Sequence, residues 1–387
     1  MIVDVDSHWE LGQTAPGEHP LGPWLDRLPT GIDLLAFAVA GDLLASLPPD
    51  RRPAPADLLP GLVQAAKARG GPVMLHPKHH SGADERVAWM DRIGIDHCLV
   101  NPGGYWQMLP FVPAEDRPSA VRRCNDFLAE QLASGAGRLH SVAVLDWSSP
   151  DAAVAELERC RGLGARAFFL ATEQGQPAGG IAPGHPVWDR LWAAAVRNGM
   201  VAVIHVGNTS AGFGAWGDVG WDLPGGAPAG VLGRLANTQR AMGAQNLIAS
   251  MLYGGVFAKF PELTVLLEEM RVNWLPPFVD TLTRQSADSP IMGDWPWPVT
   301  GGEMLRRNLR TTPLPGFGDT DALDVLRALP EMVVFSSDYP HLEGNAEPVD
   351  LYRPELDALD ADLRAAFMGG NMAECYARTG DPLPAAC

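Results

Sequence analysis

Asp6, His8, His205 and Asp338 combine metal-ligand chemistry with a place at the end of a strand-like run. Asp6 and His8 close Ile2-Val3-Asp4-Val5-Asp6-Ser7-His8, and His205 closes Val201-Ala202-Val203-Ile204-His205. Asp338 closes Val333-Val334-Phe335-Ser336-Ser337-Asp338, just ahead of Tyr339-Pro340-His341. Side chains two apart on a strand point to one face, so Asp6 and His8 can serve one centre. His205 and Asp338 lie far along the chain and can join them only where strand ends converge. Imidazoles with carboxylates suit zinc, manganese or iron. An ionised Asp at the end of a buried strand needs a cation or several donors. His341 is placed to hydrogen-bond a ligand or substrate at the edge of such a centre.

A parallel barrel brings its strand ends to one mouth. The apolar pattern predicts eight strands: the first run above, then His97–Asn101, Leu139–Leu145, Ala165–Leu170, Val201–His205, Leu263–Glu269, Asn308–Thr312 and Met332–Asp338. Helical patterns separate them. Arg86–Ile93 is stopped by Gly94, Ala120–Ala133 follows, and Ser149-Pro150-Asp151 opens a helix with a cap, a first-turn Pro and an acid. Pro186–Arg197, Glu355–Met368 and Asn371–Arg378 complete the set. The fold class expected is α/β, a TIM-like (β/α)8 barrel in a single domain spanning residues 1–387, with an insertion at about 12–82 after the first strand. A doubly wound sheet would want a Gly-rich turn where Asp6-Ser7-His8-Trp9 stands. Long loops are expected at the mouth: Gly207–Gly233, with Phe213, Trp216 and Trp221, and Ser289–Gly302, with Trp295-Pro296-Trp297.

Bulk properties narrow the partners. The 387 residues carry a formal charge of −17, which disfavours nucleic acid and anionic membrane surfaces and leaves a small-molecule substrate. No eighteen-residue apolar run and no basic leader are visible, so no membrane span or signal peptide is expected. Cys98, Cys124, Cys160, Cys375 and Cys387 are scattered and never in Cys-x-x-Cys spacing, which fits free thiols and a cytoplasmic location. The tract Leu75-His76-Pro77-Lys78-His79-His80 lies in the insertion and reads as a surface or substrate-entry loop.

Several ordered stretches resemble the amidohydrolase-related family, which includes aminocarboxymuconate-semialdehyde decarboxylase and aromatic-acid decarboxylases. They run from Asp6-Ser7-His8 through Met90-Asp91 with Gly94-Ile95-Asp96, Asn125-Asp126 and Arg138-Leu139-His140 to His185-Pro186. They continue with His205-Val206-Gly207, Gly254-Gly255-Val256-Phe257, Phe260-Pro261-Glu262-Leu263, Trp274-Leu275-Pro276, Ser337-Asp338-Tyr339-Pro340-His341 and Gly370-Asn371. The resemblance implies a barrel with a divalent metal at its mouth. By position, Asp6 and His8 fill the first-strand ligand pair, His205 the fifth-strand ligand, and Asp338 the eighth-strand position that binds metal and handles a proton. Glu269 stands where the decarboxylases carry His, as a further ligand, a base, or a structural acid paired with Arg271. Glu268 is expected to alternate to the other face. No Lys ends the fourth strand, so a second metal on a carbamylated lysine is not implied. One ion is the expectation and two the alternative. Relatives are often dimers or larger, so a homo-oligomer stays open.

These features predict a metal-dependent hydrolase of an amide, ester or lactone, with metal-activated water, Asp338 as proton carrier and Glu269 assisting. Glu269 in place of His argues for this reading over a nonoxidative decarboxylase of an aromatic or conjugated acid. A non-haem di-iron oxygenase on the same scaffold is the third reading, and a non-catalytic binding protein the last.

Overall fold

The computed structural model describes residues 1–9, 20–27, 82–103, 109, 112–135, 137–170, 172–173, 176–177, 181–206, 228–314, 322–341 and 344–385. Seven parallel strands form one curled sheet: β1 (Val3–Trp9), β2 (His97–Pro102), β3 (Leu139–Ala143), β4 (Ala167–Phe169), β5 (Val201–His205), β6 (Val265–Glu268) and β7 (Leu309–Thr311). Their order in the sheet is their order in the chain, with helices in the connections, as the expected TIM-like barrel requires. The helices follow their signals. Ser149 accepts from the Ala152 amide at 3.1 Å and caps Pro150–Gly162, an interaction worth about 1 kcal/mol. Gly94, at φ 83°, ends Ala83–Ile93.

The eighth strand departs from expectation. Residues 333–339 do lie between β7 and β1, through parallel bridges Thr311–Val333 and Ser7–Tyr339, but they form no continuous ladder. Their polar groups are shared too widely. The Phe335 amide donates to the Phe367 carbonyl and the Ser337 amide to the Asp4 carboxylate, while the Asp338 amide does reach the β1 backbone, at the Asp6 carbonyl. The segment closes the ring while leaving Asp338 free to leave strand geometry.

Every residue of β1 is buried, yet its polar residues fall on two sides. Between the pairs Asp4–Cys98 and Ser7–Val100, β1 holds one residue more than β2. That bulge reverses the alternation. Asp4 therefore shares a side with Cys98, whose Sγ lies 3.6 Å from Asp4 Oδ2, and binds Ser337 Oγ at 2.6 Å. Asp6 and His8 face the barrel interior with Asn101, the register partner of His8. Without the extra residue, Asp4 would enter the site and the charge there would rise.

Two loop expectations change. A helix of 26 residues, Pro228–Tyr253, begins inside the stretch expected to be irregular, opened by a first-position Pro and rich in helix formers. The Trp295–Trp297 segment packs against Tyr253 and Gly255, in the connection that enters β6 from its N-terminal end, rather than over the mouth. Phe213, Trp216, Trp221 and the tract His76–His80 lie outside the described residues, as does most of the 12–82 stretch. Within that stretch Leu21 and Trp24 are buried, and the Trp24 indole donates to Asp116 at 3.0 Å. Among the described residues, no helix is long and apolar enough to cross a membrane.

The N-terminal ends of β2 and β3 hold a buried histidine pair. His97 Nε2 donates to the Pro384 carbonyl at 3.0 Å, so its Nδ1 accepts from His140 Nε2 at 3.2 Å. Burial, with the charges of His97 and Arg166, pushes His140 down to about 3 from the usual 6.5. Burial lowers His97 as well. The unfolded chain therefore binds more protons than the folded chain between about pH 6.5 and 3, and stability falls as pH drops through that window. Replacing His140→Phe is expected to flatten the fall in melting temperature between pH 6.5 and 5, by up to about 1.4 kcal/mol per pH unit at the steepest. Parallel pH profiles for the two proteins in thermal melts would remove the pair from this account.

Candidate metal centre

The strand-end residues meet. His8 Nε2 lies 3.1 Å from Asp6 Oδ1, 3.3 Å from Asp338 Oδ1 and 3.6 Å from Glu269 Oε1. His205 Nε2 lies 3.2 Å from Glu269 Oε1 and 3.9 Å from Asp6 Oδ1. His341 Nδ1 is 2.9 Å from Asp338 Oδ1, and its ring lies against His8 at a 34° tilt with centroids 4.0 Å apart. Two overlapping quartets result, Asp6-His8-His205-Glu269 and His8-Glu269-Asp338-His341, each with ligand atoms within 4.8 Å of one another.

Two backbone turns make this possible. β5 and β6 pair His205 with Glu268, so Glu268, not Glu269, is the ladder residue on His205's face. Glu269 reaches the same space because its backbone turns left-handed, at φ 56°, with its amide held by Thr312 Oγ1 at 3.2 Å. The expectation that Glu268 alternates away is therefore corrected: both acids are buried, and Glu268 is wholly so. Asp338 is also left-handed, at φ 50°. Gly344 packs on this turn, where a Cβ would lie 2.2 Å from the Asp338 carbonyl oxygen. Such conformations cost of order 1–3 kcal/mol and concentrate at functional sites. Arg271, at φ 61°, is half-buried beyond the same turn.

The donor chemistry fits a divalent cation. Asp6 Oδ2, His8 Nε2, His205 Nε2 and Asp338 Oδ2 are buried with no hydrogen-bond partner among the described residues. His205 Nδ1 lies 2.8 Å from the Val206 carbonyl. A carbonyl only accepts, so Nδ1 carries a proton and Nε2 is the ring nitrogen turned to the cluster, where it would meet a cation. Burial opposes charge on His8, but the Asp338, Asp6 and Glu269 carboxylates close to Nε2 outweigh that and hold the ring well above its usual pKa. The carboxylates that favour a proton there favour any cation at that point.

The acids divide into two kinds. Burial works against ionised Glu269, yet His205 and His8 outweigh it and hold Glu269 well below the usual range. Burial, reinforced by the Glu269 charge, pushes Asp338 up. Burial and the Asp6 charge push Glu268 well up.

Neither Asn101 nor Arg86 was anticipated. Asn101 ends β2, as Asp6-Ser7-His8 ends β1, so the strand-end rule that found the others also reaches it. Its Nδ2 donates to Asp6 Oδ1 at 3.0 Å and to Glu268 Oε2 at 2.8 Å. Arg86, wholly buried, donates to Ser7 Oγ and to the His8 carbonyl, the latter at 2.8 Å. Its guanidinium lies 4.7 Å from the Tyr339 ring centroid. It thus ties β1 to the closing segment beneath the metal-ligand side chains.

With this geometry established, known proteins can be compared. No curated protein matches the chain. The solved structure of an amidohydrolase from Mycobacterium avium subsp. paratuberculosis K-10 is similar at 20% identity and TM-score 0.67, covering 97% of each chain. The 5-carboxyvanillate decarboxylase of Sphingomonas paucimobilis is similar at 20% identity and TM-score 0.63, covering 97% of this chain and 98% of that one. A dihydroxybenzoic acid decarboxylase from Polaromonas sp. JS666, solved with manganese and 2-nitroresorcinol, is similar at 19% identity and TM-score 0.58, covering 97% and 96%.

The hydrolase expectation is corrected by these neighbours, which are mostly decarboxylases of aromatic acids. It leaned on Glu269 standing in place of His. That residue is drawn into contact with His8 and His205, so its identity is a weak guide to the reaction. A family model for amidohydrolases matches residues 72–378, most of the sequence, and the chain belongs to that family.

Proposed function

We propose that this protein is a divalent-metal-dependent, nonoxidative decarboxylase of an aromatic acid. The observation that carries the reading is the convergence of Asp6, His8, His205 and Asp338, with unpartnered donor atoms, at the mouth of a barrel. Solved relatives of that barrel include aromatic-acid decarboxylases crystallised with manganese. Asp6, His8, His205, Glu269 and Asp338 are assigned as the groups that hold one ion. When bound, the ion supplies positive charge that draws the substrate's oxygens and offsets negative charge as carbon dioxide departs. The whole chain is taken to serve this one barrel site.

Decarboxylation breaks the bond between the ring carbon and the carboxylate. The electron pair stays on the ring carbon, which must then take a proton, so the net change exchanges the carboxylate for hydrogen. Asp338 is the group placed to pass on that proton, because its Oδ1 lies 2.9 Å from His341 Nδ1 at the edge of the cluster. Glu269 stays ionised beside His205 and His8 and cannot share that task. His341 holds Asp338 through Nδ1 and, at 20% exposure, is the cluster's contact with solvent. It reloads the proton after each turnover.

Manganese-loaded protein is expected to release carbon dioxide from hydroxylated benzoates with no oxygen uptake. Absence of turnover across such acids with metal bound, or turnover coupled to oxygen consumption, would sink the proposal. Asp338→Asn is expected to lower kcat by about 100-fold or more, the usual worth of a positioned acid. Metal analysis of the same sample checks whether the ion is retained. A variant that keeps both metal and wild-type kcat would take Asp338 out of the proton path.

A further inference from the structure

We infer that Asn101 is a positioning residue for the metal centre, its amide locking the Asp6 carboxylate to the buried Glu268 carboxylate beneath the site. The inference rests on the proposed reading only for the choice of manganese as probe.

Asn101 is wholly buried, and one amide nitrogen serves both acids, Asp6 Oδ1 at 3.0 Å and Glu268 Oε2 at 2.8 Å. Its two N–H bonds are thereby used on two different strands, β1 and β6, that are not neighbours in the sheet. The bridge spans the barrel interior. The Asn101 carbonyl oxygen has no hydrogen-bond partner among the described residues, so the carboxylates alone orient the amide. Turning it over would set that oxygen against Asp6 Oδ1, so the bond to Asp6 favours this orientation. Of the three carboxylate oxygens around His8 Nε2, Asp6 Oδ1 is the nearest, at 3.1 Å. Fixing it therefore fixes the angle at which the Asp6 carboxylate faces the two imidazoles. Glu268 has a second, unpartnered oxygen, Oε1, and no imidazole contact comparable to those of Glu269. It acts here as the anchor for the amide rather than as a ligand.

Groups that orient a ligand in this way typically change metal affinity by about 10–100-fold when removed. Asn101→Leu keeps the volume and removes both donors. Its chelator-stripped protein, titrated with manganese and read by the paramagnetic resonance of free and bound ion, is expected to bind about 10–100-fold more weakly than wild type. The bound spectrum should change shape as the Asp6 angle relaxes. Glu268→Gln is the second arm. Its amide oxygen still accepts from Asn101, so affinity should stay within about threefold of wild type, the scale of one weakened hydrogen bond.

Where Asn101→Leu fails to fold, Asn101→Ser, which keeps a single donor, is read in the same way. Folded Asn101 variants with wild-type affinity and spectrum overturn the inference. So does a Glu268→Gln loss as large as that of Asn101→Leu, which would make Glu268 a direct ligand. Neither readout uses turnover, so a failure of the decarboxylase reading leaves this test standing, and the reverse also holds.

Discussion

The site is organised by the need to keep several carboxylates buried within a few ångströms of one another. Two ionised carboxylates about 4 Å apart repel by roughly 4 kcal/mol at an effective dielectric near 20. Asp6, Glu268, Glu269 and Asp338 are all buried, so bulk water cannot relieve that repulsion. The structure distributes relief among specific partners. His8 and His205 face Glu269, His341 faces Asp338, and the Asn101 amide separates Asp6 from Glu268. What these partners leave unsatisfied is the inward-facing atoms that a cation would take, so charge balance and metal binding are one requirement.

That requirement explains why the backbone is irregular where it is. A regular β1 would send Asp4 into the same interior, and the bulge instead places it with Cys98 and Ser337. A regular exit from β6 would turn Glu269 away from His205, and the left-handed turn brings it back. A regular eighth strand would keep Asp338 in a ladder, whereas the bridged segment frees it to turn at φ 50°. Each departure costs local stability. Each also moves one carboxylate into or out of the cluster, which favours a common cause over independent defects.

The same irregularities mark what could be read in the sequence. The strand order, the Ser149 cap, the Gly94 stop and the meeting of Asp6, His8, His205 and Asp338 were legible, because they follow from periodicity, capping chemistry and strand-end placement. The inward face of Glu268 was not. Alternation assigns one of two adjacent acids to each face, and a positive φ at the second is invisible in side-chain type. Asn101 was legible in principle at the end of β2, but an amide carries no signal of ligation and was passed over. The closing segment looked like a strand because Val333, Val334 and Phe335 are strand formers. In its polar half, Ser337 gives its amide and hydroxyl to the Asp4 carboxylate, while the Asp338 amide reaches the β1 backbone at Asp6, so the ladder is broken.

The weight placed on Glu269 shows how a residue's type can mislead when its environment is unknown. As an isolated acid in a histidine position, it suggested different chemistry. In place, the two imidazoles hold it ionised, while burial and its own charge drive neighbouring Asp338 the other way. Two carboxylates with opposed tendencies make an acid and a counter-charge, the pattern by which one site separates those roles. On the proposed reading, the Glu269 charge favours a proton on Asp338, and Glu269 is not itself the base. A decarboxylase of the kind proposed must deliver a proton to carbon, and a sixth-strand histidine is not the only arrangement that could serve it.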